Sequence, residues 1–297
     1  MRVLVTGASG LIGRHAVTLL QEAGHQVRSF QRGEPMPGIE HVAGDVCADV
    51  PALCAAARGC RALVHLAGRG DVAESRRDPA GYAQLNAMGA LHALEAARSA
   101  GAAFVLASSQ RVYPLQPRPC REDTPPAPDS PYGYAKWVAE LWCRMESEQF
   151  GVPTSVLRFF SVYGPGQRPH GLSGVVPLFA RASLEGAPLV VQSAGRRDFT
   201  DARDVARGIL LALERPPAGP QVYNIGTGLG TTFRALAELV VGLTGSCSTI
   251  VERITEGPGR DLVADISRAR RELGYKPAVP LRAGLERYLE WLERNCA

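Results

Sequence analysis

Long apolar runs are absent from the 297-residue sequence, in which no stretch approaches the roughly 18 residues that a membrane-spanning helix needs. The seven cysteines form no C-x-x-C pair, so the pattern predicts reduced thiols, with neither a disulfide framework nor a metal site. Neither sign of charge dominates, because 29 acidic residues balance 33 basic ones, and this excludes a dedicated nucleic-acid or membrane-surface protein. The first ten residues read as a strand and a glycine turn rather than a secretory leader, so we expect a cytoplasmic protein.

Short β-rich runs alternate with helical stretches through the first half of the sequence. The pattern predicts strands at 3–5, 26–30, 62–66, 102–106 and 154–157, and helices at 11–23, 81–100, 131–149 and 281–294. Such alternation is typical of βαβ units, so the predicted fold class is α/β, a Rossmann-type doubly wound parallel sheet. Seven prolines between positions 114 and 131 predict a long surface loop.

The alternation becomes less regular after about residue 165, which suggests a second, smaller lobe. We therefore expect residues 1–165, joined by about 196–225, to form a dinucleotide-binding core. Residues 166–195 and 226–297 are then expected to form an interleaved substrate-binding lobe. With 45% apolar residues, the chain has enough hydrophobic material for a sizeable core.

A glycine-rich turn, GASGLIG, follows the first predicted strand and opens the first predicted helix. Gly7, Gly10 and Gly13 would let the backbone approach a pyrophosphate, which would then lie at the helix N-terminus on the N–H groups of Leu11, Ile12 and Gly13. The spacing is G-x-x-G-x-x-G rather than G-x-G-x-x-G, but its position after a strand predicts a dinucleotide site.

The end of the second predicted strand is where the adenosine ribose would be recognised. An acidic residue at this position favours NAD, whereas an arginine accommodates the 2′-phosphate of NADP. Gln31 is neutral and Arg32 is basic. NAD and NADP therefore both remain possible cofactors, and the Gln31-Arg32 pair favours NADP.

A tyrosine and a lysine stand at positions i and i+4 of the helix predicted from residue 131, and a serine ends the strand before it. Tyr132 and Lys136 would share one helical face, where a fixed ammonium lowers the pKa of a phenol and prepares it as a general base. Lys136 is one of only two lysines in the chain. Ser109 would lie at the carboxyl end of its strand, where a hydroxyl can hold the reacting oxygen.

Taken together, these motifs resemble the extended short-chain dehydrogenase/reductase family, in particular its NAD-dependent epimerase/dehydratase branch, whose members act on nucleotide sugars. The blocks that carry the resemblance are TGASGLIG at 6–13, GDV at 44–46, HLAG at 65–68, SSQRVYP at 108–114, PYGYAK at 131–136, RFFSVYGPGQRP at 158–169 and RRDFTDARDVARGI at 196–209. They extend over nearly the whole chain.

The resemblance implies a role for individual residues. It makes Ser109, Tyr132 and Lys136 the catalytic trio. It assigns further residues to the cofactor, with Asp45 and Val46 beside the adenine, Leu66, Ala67, Gly68 and Asn86 along the dinucleotide, and Phe160 near the nicotinamide. It assigns Ser161 and Arg197 to the substrate, the latter at a position that often holds a diphosphate, whereas His65 is expected to be a packing residue.

Two positions after the predicted catalytic serine depart from the dehydratases of this branch. Those enzymes carry an Asp-Glu pair there, which supplies the acid and the base for loss of water. Here the residues are Gln110 and Arg111, which argues against 4,6-dehydration.

The function predicted from these features is NAD(P)-dependent epimerisation of a nucleotide sugar by reversible hydride transfer at a sugar carbon of the C4 type. An NADPH-dependent ketoreductase for a 4-keto-6-deoxyhexose nucleotide is the alternative, because it would use the same trio. A non-catalytic dinucleotide sensor or scaffold is the alternative of another class, but it would need neither Tyr132 nor Lys136. The expected partner is a small nucleotide sugar, and the resemblance favours a homodimer formed by the helices that carry Asn86 and Tyr132.

Overall fold

The computed structural model describes residues 1–168 and 174–296. Its strands are β1 (Arg2–Thr6), β2 (Gln26–Gln31), β3 (Glu40–Ala43), β4 (Ala62–His65), β5 (Ala103–Ser109), β6 (Thr154–Phe159), β7 (Val162–Tyr163), β8 (Leu189–Ser193), β9 (Arg196–Arg197), β10 (Thr200–Asp201), β11 (Gln221–Ile225), β12 (Thr231–Thr232) and β13 (Ile250–Glu256). Its α-helices are α1 (Leu11–Glu22), α2 (Val50–Ala57), α3 (Val72–Arg77), α4 (Pro79–Tyr82), α5 (Gly89–Ala100), α6 (Pro131–Phe150), α7 (Val175–Leu184), α8 (Ala202–Glu214), α9 (Phe233–Thr244) and α10 (Leu281–Cys296). Among these residues, none of the helices combines the length and the apolarity that crossing a membrane requires.

Seven parallel strands form the central sheet in the order β11-β6-β5-β4-β1-β2-β3. The strand order reverses between β1 and β4, which makes their carboxyl ends the point where an open α/β sheet binds ligands. The predicted Rossmann-type doubly wound sheet is confirmed. Strand β11 joins the sheet from far along the chain, at 221–225, where no strand was predicted.

Side chains of the strands alternate between two apolar cores, one on each face of the sheet. In β1, Val3 and Val5 pack toward α1 and α8, whereas Leu4 packs toward α2, α5 and α6. Successive side chains of a strand point to opposite faces, and burial on both faces explains why β1 reads as a continuous apolar run.

The helix predicted at 81–100 is not regular. It consists of the short α4, a π-helical segment at Ala83–Met88 and then α5. The π segment contains Asn86, whose side chain bonds the loop that follows β4. A π-helical turn inserts one extra residue into the helix, and such insertions are frequent at functional sites.

The proline-rich stretch at 114–131 is mostly an exposed or partly buried loop, as predicted, but part of it belongs to the interior. Cys120 within it is fully buried, its N–H donates to the carbonyl of Val263 at 2.7 Å, and its carbonyl accepts from the N–H of Asp265 at 2.8 Å. Proline prevents regular structure, but it does not prevent burial when the remaining backbone groups find partners.

A separate apolar core lies in the second half of the chain, where α7, α9 and α10 pack around Phe179, Leu236, Val240, Leu285 and Tyr288. The assignment of this part to substrate binding, with the boundaries given above, stays a prediction. The homodimer also stays a prediction. On α6, the proposed contact helix, Leu141 is 42% exposed.

Candidate active site

The glycine turn lies at the switch point between β1 and β4. Gly7 has a φ of +69°, and a Cβ there would lie only 2.7 Å from the backbone N of Ala67 in the loop after β4. A Cβ on Gly13 would lie 2.2 Å from the Gly7 carbonyl oxygen. Both positions therefore require glycine for the turn to pack against its neighbours.

The N-terminus of α1 fits an anionic group. Gly10 is its N-cap and supplies no side-chain bond, and the first turn contains no acidic residue. The N–H groups of Leu11, Ile12 and Gly13 precede the first α-helical bond, which runs from Arg14 to the Gly10 carbonyl at 3.1 Å. Such N–H groups and the helix dipole favour a phosphate, so the residues present fit the pyrophosphate of a dinucleotide.

At the end of β2 the two residues that bear on cofactor choice behave differently. Gln31 braces the turns around it, because its Oε1 accepts from the Ser9 N–H at 2.9 Å and its Nε2 donates to the Glu34 carbonyl at 2.8 Å. The Arg32 side chain is 75% exposed, and its guanidinium lies 3.6 Å from the Asp45 carboxylate. A guanidinium at this position could pair with a 2′-phosphate, so the lean to NADP stays a prediction.

The residues predicted along the dinucleotide lie on and behind the loop that follows β4. The Thr6 hydroxyl accepts from the Ala67 N–H at 3.2 Å, while Asn86 accepts from the Arg69 N–H at 2.9 Å and donates to the Arg69 carbonyl at 3.0 Å. A Cβ on Gly68 would lie 2.5 Å from the Asn86 amide oxygen. Asn86 is 1% exposed, so its amide holds the loop in position. Two further residues were predicted to contact the cofactor. Leu66, in this loop, is partly buried, and Val46, predicted beside the adenine, is buried.

The segments that carry Ser109 and Tyr132 pack directly against each other. Ser130 caps α6, since its hydroxyl accepts from the Gly133 N–H at 3.3 Å, and Pro131 occupies the first turn as predicted. A Cβ on Gly133 would lie 2.4 Å from the Arg111 carbonyl oxygen, so α6 begins directly against the turn after β5. Ser109 and Tyr132 both line a cleft of about 1330 Å³.

Lys136 lies one turn further along α6, beneath the cleft. It is 6% exposed, and its ammonium donates to the Ala107 carbonyl at 2.8 Å. Burial lowers its pKa to about 8, although the nearby Glu140 carboxylate opposes that shift. A Cβ on Gly68 would lie 3.5 Å from the ammonium, which places Lys136 beside the loop predicted to hold the dinucleotide.

The expectation that Lys136 lowers the pKa of Tyr132 is not met in this structure. Burial raises the pKa of the Tyr132 phenol above 10.0, and the hydrogen bond with the Ser109 side chain and the positive charge of Arg111 oppose that rise. The Lys136 ammonium does not contribute to this pKa shift, and it donates a hydrogen bond to the Ala107 carbonyl instead. Spacing along a helix places two side chains on one face, but it does not decide which acceptor the lysine selects.

A variant that removes the buried ammonium should alter how stability depends on pH. Below pH 8 the native state carries the full cost of a charged Lys136. As the pH rises from 8 toward 10.5 the native state loses this proton while the unfolded state keeps it, so stability rises. Between about pH 7 and 9.5 the free energy of unfolding of the wild type, relative to Lys136→Met, should therefore increase by about 2 kcal/mol. Urea unfolding of both proteins across this range measures it, and a pH-independent difference would contradict the burial of a charged lysine.

Ser161, predicted to contact the substrate, and Phe160, predicted to lie near the nicotinamide, have different surroundings. Ser161 lines the cleft, and its hydroxyl accepts from the Gln110 amide at 2.9 Å. The position of Phe160 does not support a contact with the nicotinamide, because its side chain is fully buried in a cluster with Tyr113. Its neighbour Phe159 lines the cleft instead.

Arg197 is held in the cleft wall by backbone carbonyls and an aromatic ring. Its guanidinium donates to the carbonyls of Arg196 at 3.0 Å and Arg260 at 2.8 Å, and it lies 5.2 Å from the centre of the Phe233 ring. Its side chain is therefore fixed while the residue still lines the cleft. A fixed guanidinium is suited to binding a diphosphate, and the assignment of Arg197 to the substrate stays a prediction.

A buried polar network behind the trio was not predicted. The Arg158 guanidinium binds the Glu140 carboxylate at 2.6 Å and the Tyr113 hydroxyl at 2.7 Å, and Ser108 donates to the same carboxylate. Tyr113 in turn donates to Asn224 of β11 at 2.7 Å. One feature of the sequence could have indicated this network. Glu140 lies four residues after Lys136, on a helical face that the pattern otherwise predicts to be apolar.

The buried histidine of the HLAG block lies within the sheet, as expected of a packing residue. One ring nitrogen of His65 bonds the Thr6 hydroxyl at 2.9 Å, and its ring stacks on Phe104. Burial and the charge of Lys136 lower its pKa to about 3, so it stays neutral.

Comparisons with known proteins all indicate the same family. The family model described as "NAD dependent epimerase/dehydratase family" matches residues 3–226. A UDP-glucose 4-epimerase of Mycolicibacterium smegmatis is 33% identical over 313 residues, covering 99% of both chains, and a dTDP-glucose 4,6-dehydratase of Streptomyces niveus is 33% identical over 321 residues, covering 100% of this chain and 94% of that one.

Solved structures share the same fold. The UDP-glucose 4-epimerase of Thermotoga maritima with UDP-glucose superposes with a TM-score of 0.90 at 31% identity, covering 100% of both chains. MoeE5 in complex with UDP-glucuronic acid and NAD gives a TM-score of 0.90 at 32% identity, covering 99% of both chains.

Proposed function

Because the chain belongs to the NAD dependent epimerase/dehydratase family, we propose that it epimerises a nucleotide sugar at C4, with Ser109, Tyr132 and Lys136 as its catalytic residues. The observation that carries the proposal is that Ser109 and Tyr132 line one cleft at the carboxyl end of β5, with Lys136 buried below them. The Mycolicibacterium smegmatis relative supports this choice, because it is a UDP-glucose 4-epimerase that matches along the whole chain.

The proposed chemistry divides between the residues as follows. As the phenolate, which the Ser109 hydrogen bond and the positive charge of Arg111 favour against burial, Tyr132 accepts the proton of the C4 hydroxyl and later returns it. The Ser109 hydroxyl holds the same oxygen while its charge changes. A nicotinamide held beside Gly68 would supply a reversible hydride acceptor for C4, and hydride return to the opposite face of the sugar would invert that carbon. Lys136 lies below the phenol beside Gly68, where its ammonium would bind the nicotinamide ribose. The carbon is oxidised and then reduced, so no net oxidant is consumed.

Two features of the cofactor site support the binding of a dinucleotide. The N–H groups at the start of α1 fit a pyrophosphate, and Gly7 brings that turn against the loop after β4. Among the alternatives, dehydration is disfavoured because Gln110 cannot act as an acid and Arg111 cannot act as a base at neutral pH. The ketoreductase alternative rests on Arg32, which would pair with a 2′-phosphate.

The first experiment is to identify the nucleotide that the freshly purified protein releases on denaturation, by mass spectrometry. An epimerase recycles its cofactor in place, so we expect close to one NAD per chain. A protein that is empty as purified and prefers NADPH to NADH would instead support the ketoreductase and assign Arg32 to the phosphate. A protein with no nucleotide and no affinity for either cofactor would contradict both.

A further inference from the structure

We infer, on the basis of the proposed function, that the sugar of the substrate carries a carboxylate and that Arg111, with Arg76 beside it, binds that group. The substrate class is then a nucleotide-linked hexuronic acid. Both arginines line the same cleft as Ser109 and Tyr132. A neutral hexose offers no group that needs two cations at this point of the cleft.

The backbone of Arg111 is fixed relative to the predicted catalytic residues. It lies two positions after Ser109, and its N–H donates to the Ser109 hydroxyl oxygen at 3.2 Å. Its carbonyl is pressed against Gly133, in the turn of α6 that carries Tyr132. The guanidinium therefore extends from a rigid point beside the reacting oxygen, which is where a specificity-determining group has to be.

The charge of Arg111 is incompletely matched within the protein. Its guanidinium lies 3.6 Å from the Asp129 carboxylate, which is beyond hydrogen-bond distance, and the two side chains are 26% and 40% exposed. Guanidinium groups bind carboxylates best through two parallel hydrogen bonds at about 2.8 Å. An ion pair as long as this one leaves N–H groups of Arg111 able to bind a ligand.

Arg76 supplies the second cation. It projects from α3, and its guanidinium donates to the Asp129 carbonyl at 3.0 Å. Asp129 therefore holds both arginines near the cleft, one through its side chain and one through its backbone. Only the Arg111 guanidinium faces the Asp129 carboxylate, so the charge of Arg76 adds a net positive charge to this wall of the cleft.

The acidic residues in the same cleft wall are already engaged. The Asp71 carboxylate caps α3 by accepting from the Glu74 N–H at 2.8 Å. Glu74 binds the Arg69 guanidinium, and it accepts from the Tyr82 hydroxyl at 2.9 Å.

The chemistry of the sugar identifies the ligand group. With the C4 oxygen between Ser109 and Tyr132, the neighbouring substituents are the C3 hydroxyl and, through C5, the C6 group. C6 is the position at which oxidation yields a carboxylate while the ring hydroxyls are retained. Among the solved relatives, MoeE5, at 32% identity, is found in complex with NAD and UDP-glucuronic acid and also with NAD and UDP-glucose, so a relative of this chain accommodates the carboxylate.

The test compares two ligands that differ only at C6, namely UDP-glucuronate and UDP-glucose. Isothermal titration of the protein as purified should show about 10- to 100-fold tighter binding of UDP-glucuronate, because charge-assisted bonds to a carboxylate have no counterpart in a hydroxymethyl group. Arg111→Gln should reduce this preference to less than about threefold, and Arg111→Lys should keep part of it. Arg77→Gln is the matched control, since Arg77 lies next to Arg76 on α3 but does not line the cleft.

Each outcome has a distinct meaning. No preference in the wild type, including no binding of either ligand, overturns the inference, and so does an Arg111→Gln variant that keeps the preference. Equal losses of turnover on both sugars in Arg111→Gln, with the binding preference unchanged, would assign Arg111 to Tyr132 rather than to the substrate. If UDP-glucuronate binds preferentially but is not converted to its C4 epimer, the result supports the carboxylate site and contradicts the proposed epimerase activity.

Discussion

Replacing Tyr132 with phenylalanine is expected to lower kcat by about 10³-fold while leaving the fold intact. General acid–base groups contribute about 10²- to 10⁴-fold, and the trio contains no other group that can accept the C4 hydroxyl proton at this position. The aromatic ring remains in place without its hydroxyl, so the edge-to-face contact with Tyr82 and the cleft wall are kept. The measurement is the rate of sugar-nucleotide epimerisation at saturating substrate, together with substrate affinity, which should change little.

The same helix provides a matched control for this variant. Tyr134 lies two residues further on and is 58% exposed, so Tyr134→Phe should keep full activity. If Tyr132→Phe turned over the substrate at the wild-type rate, the catalytic assignment of the trio would be wrong. A loss of activity that came with a lower melting temperature would point instead to a structural role.

Replacing Glu140 with alanine is expected to lower the free energy of unfolding by about 3–5 kcal/mol. Arg158 is 2% exposed, and its bond to Glu140 at 2.6 Å is the ion pair that balances its charge. Without Glu140, the guanidinium would stay buried with only the Tyr113 hydroxyl and the Glu122 carbonyl as acceptors, and the Ser108 hydroxyl would lose its partner. Desolvation of an unpaired charge costs far more than the net gain of an exposed ion pair.

Urea unfolding provides the measurement, and a second ion pair on α6 provides the control. Arg144 and Glu148 lie 2.7 Å apart, with side chains that are 68% and 46% exposed. Glu148→Ala should therefore change the free energy of unfolding by less than about 0.5 kcal/mol. A cost below about 1 kcal/mol for Glu140→Ala would mean that water or a rearranged partner compensates the Arg158 charge.

Local signals in the sequence were sufficient for several elements of the first half, although β3, α2 and α3 were not predicted. Strand β1 and helix α1 follow from an apolar run, a glycine turn and helical spacing, and α6 begins at the predicted Ser130-Pro131 pair. These signals act between residues that are neighbours along the chain, so they keep their meaning without tertiary contacts. The π-helical segment around Asn86 was missed because the same apolar spacing is compatible with a regular helix.

The candidate site was predictable in its members but not in their surroundings. The sequence placed Tyr132 and Lys136 on one helical face, but the partner of the lysine, the Ala107 carbonyl, lies on a different element. Phe159 and Phe160 are adjacent and both buried, and only the tertiary packing decided that the first lines the cleft and the second does not.

What the sequence by itself determined is the fold class, the family and the identity of the predicted catalytic residues, because spacing and residue type carry that information. The tertiary structure alone decided which charges meet. It pairs Glu140 with Arg158 across two elements, and it brings both Arg76 and Arg111 to Asp129, the first to its backbone carbonyl and the second to its carboxylate. Contacts of this kind join residues that are distant in the chain, and their strength depends on burial and on distances of a few ångströms, which no pattern in one sequence specifies.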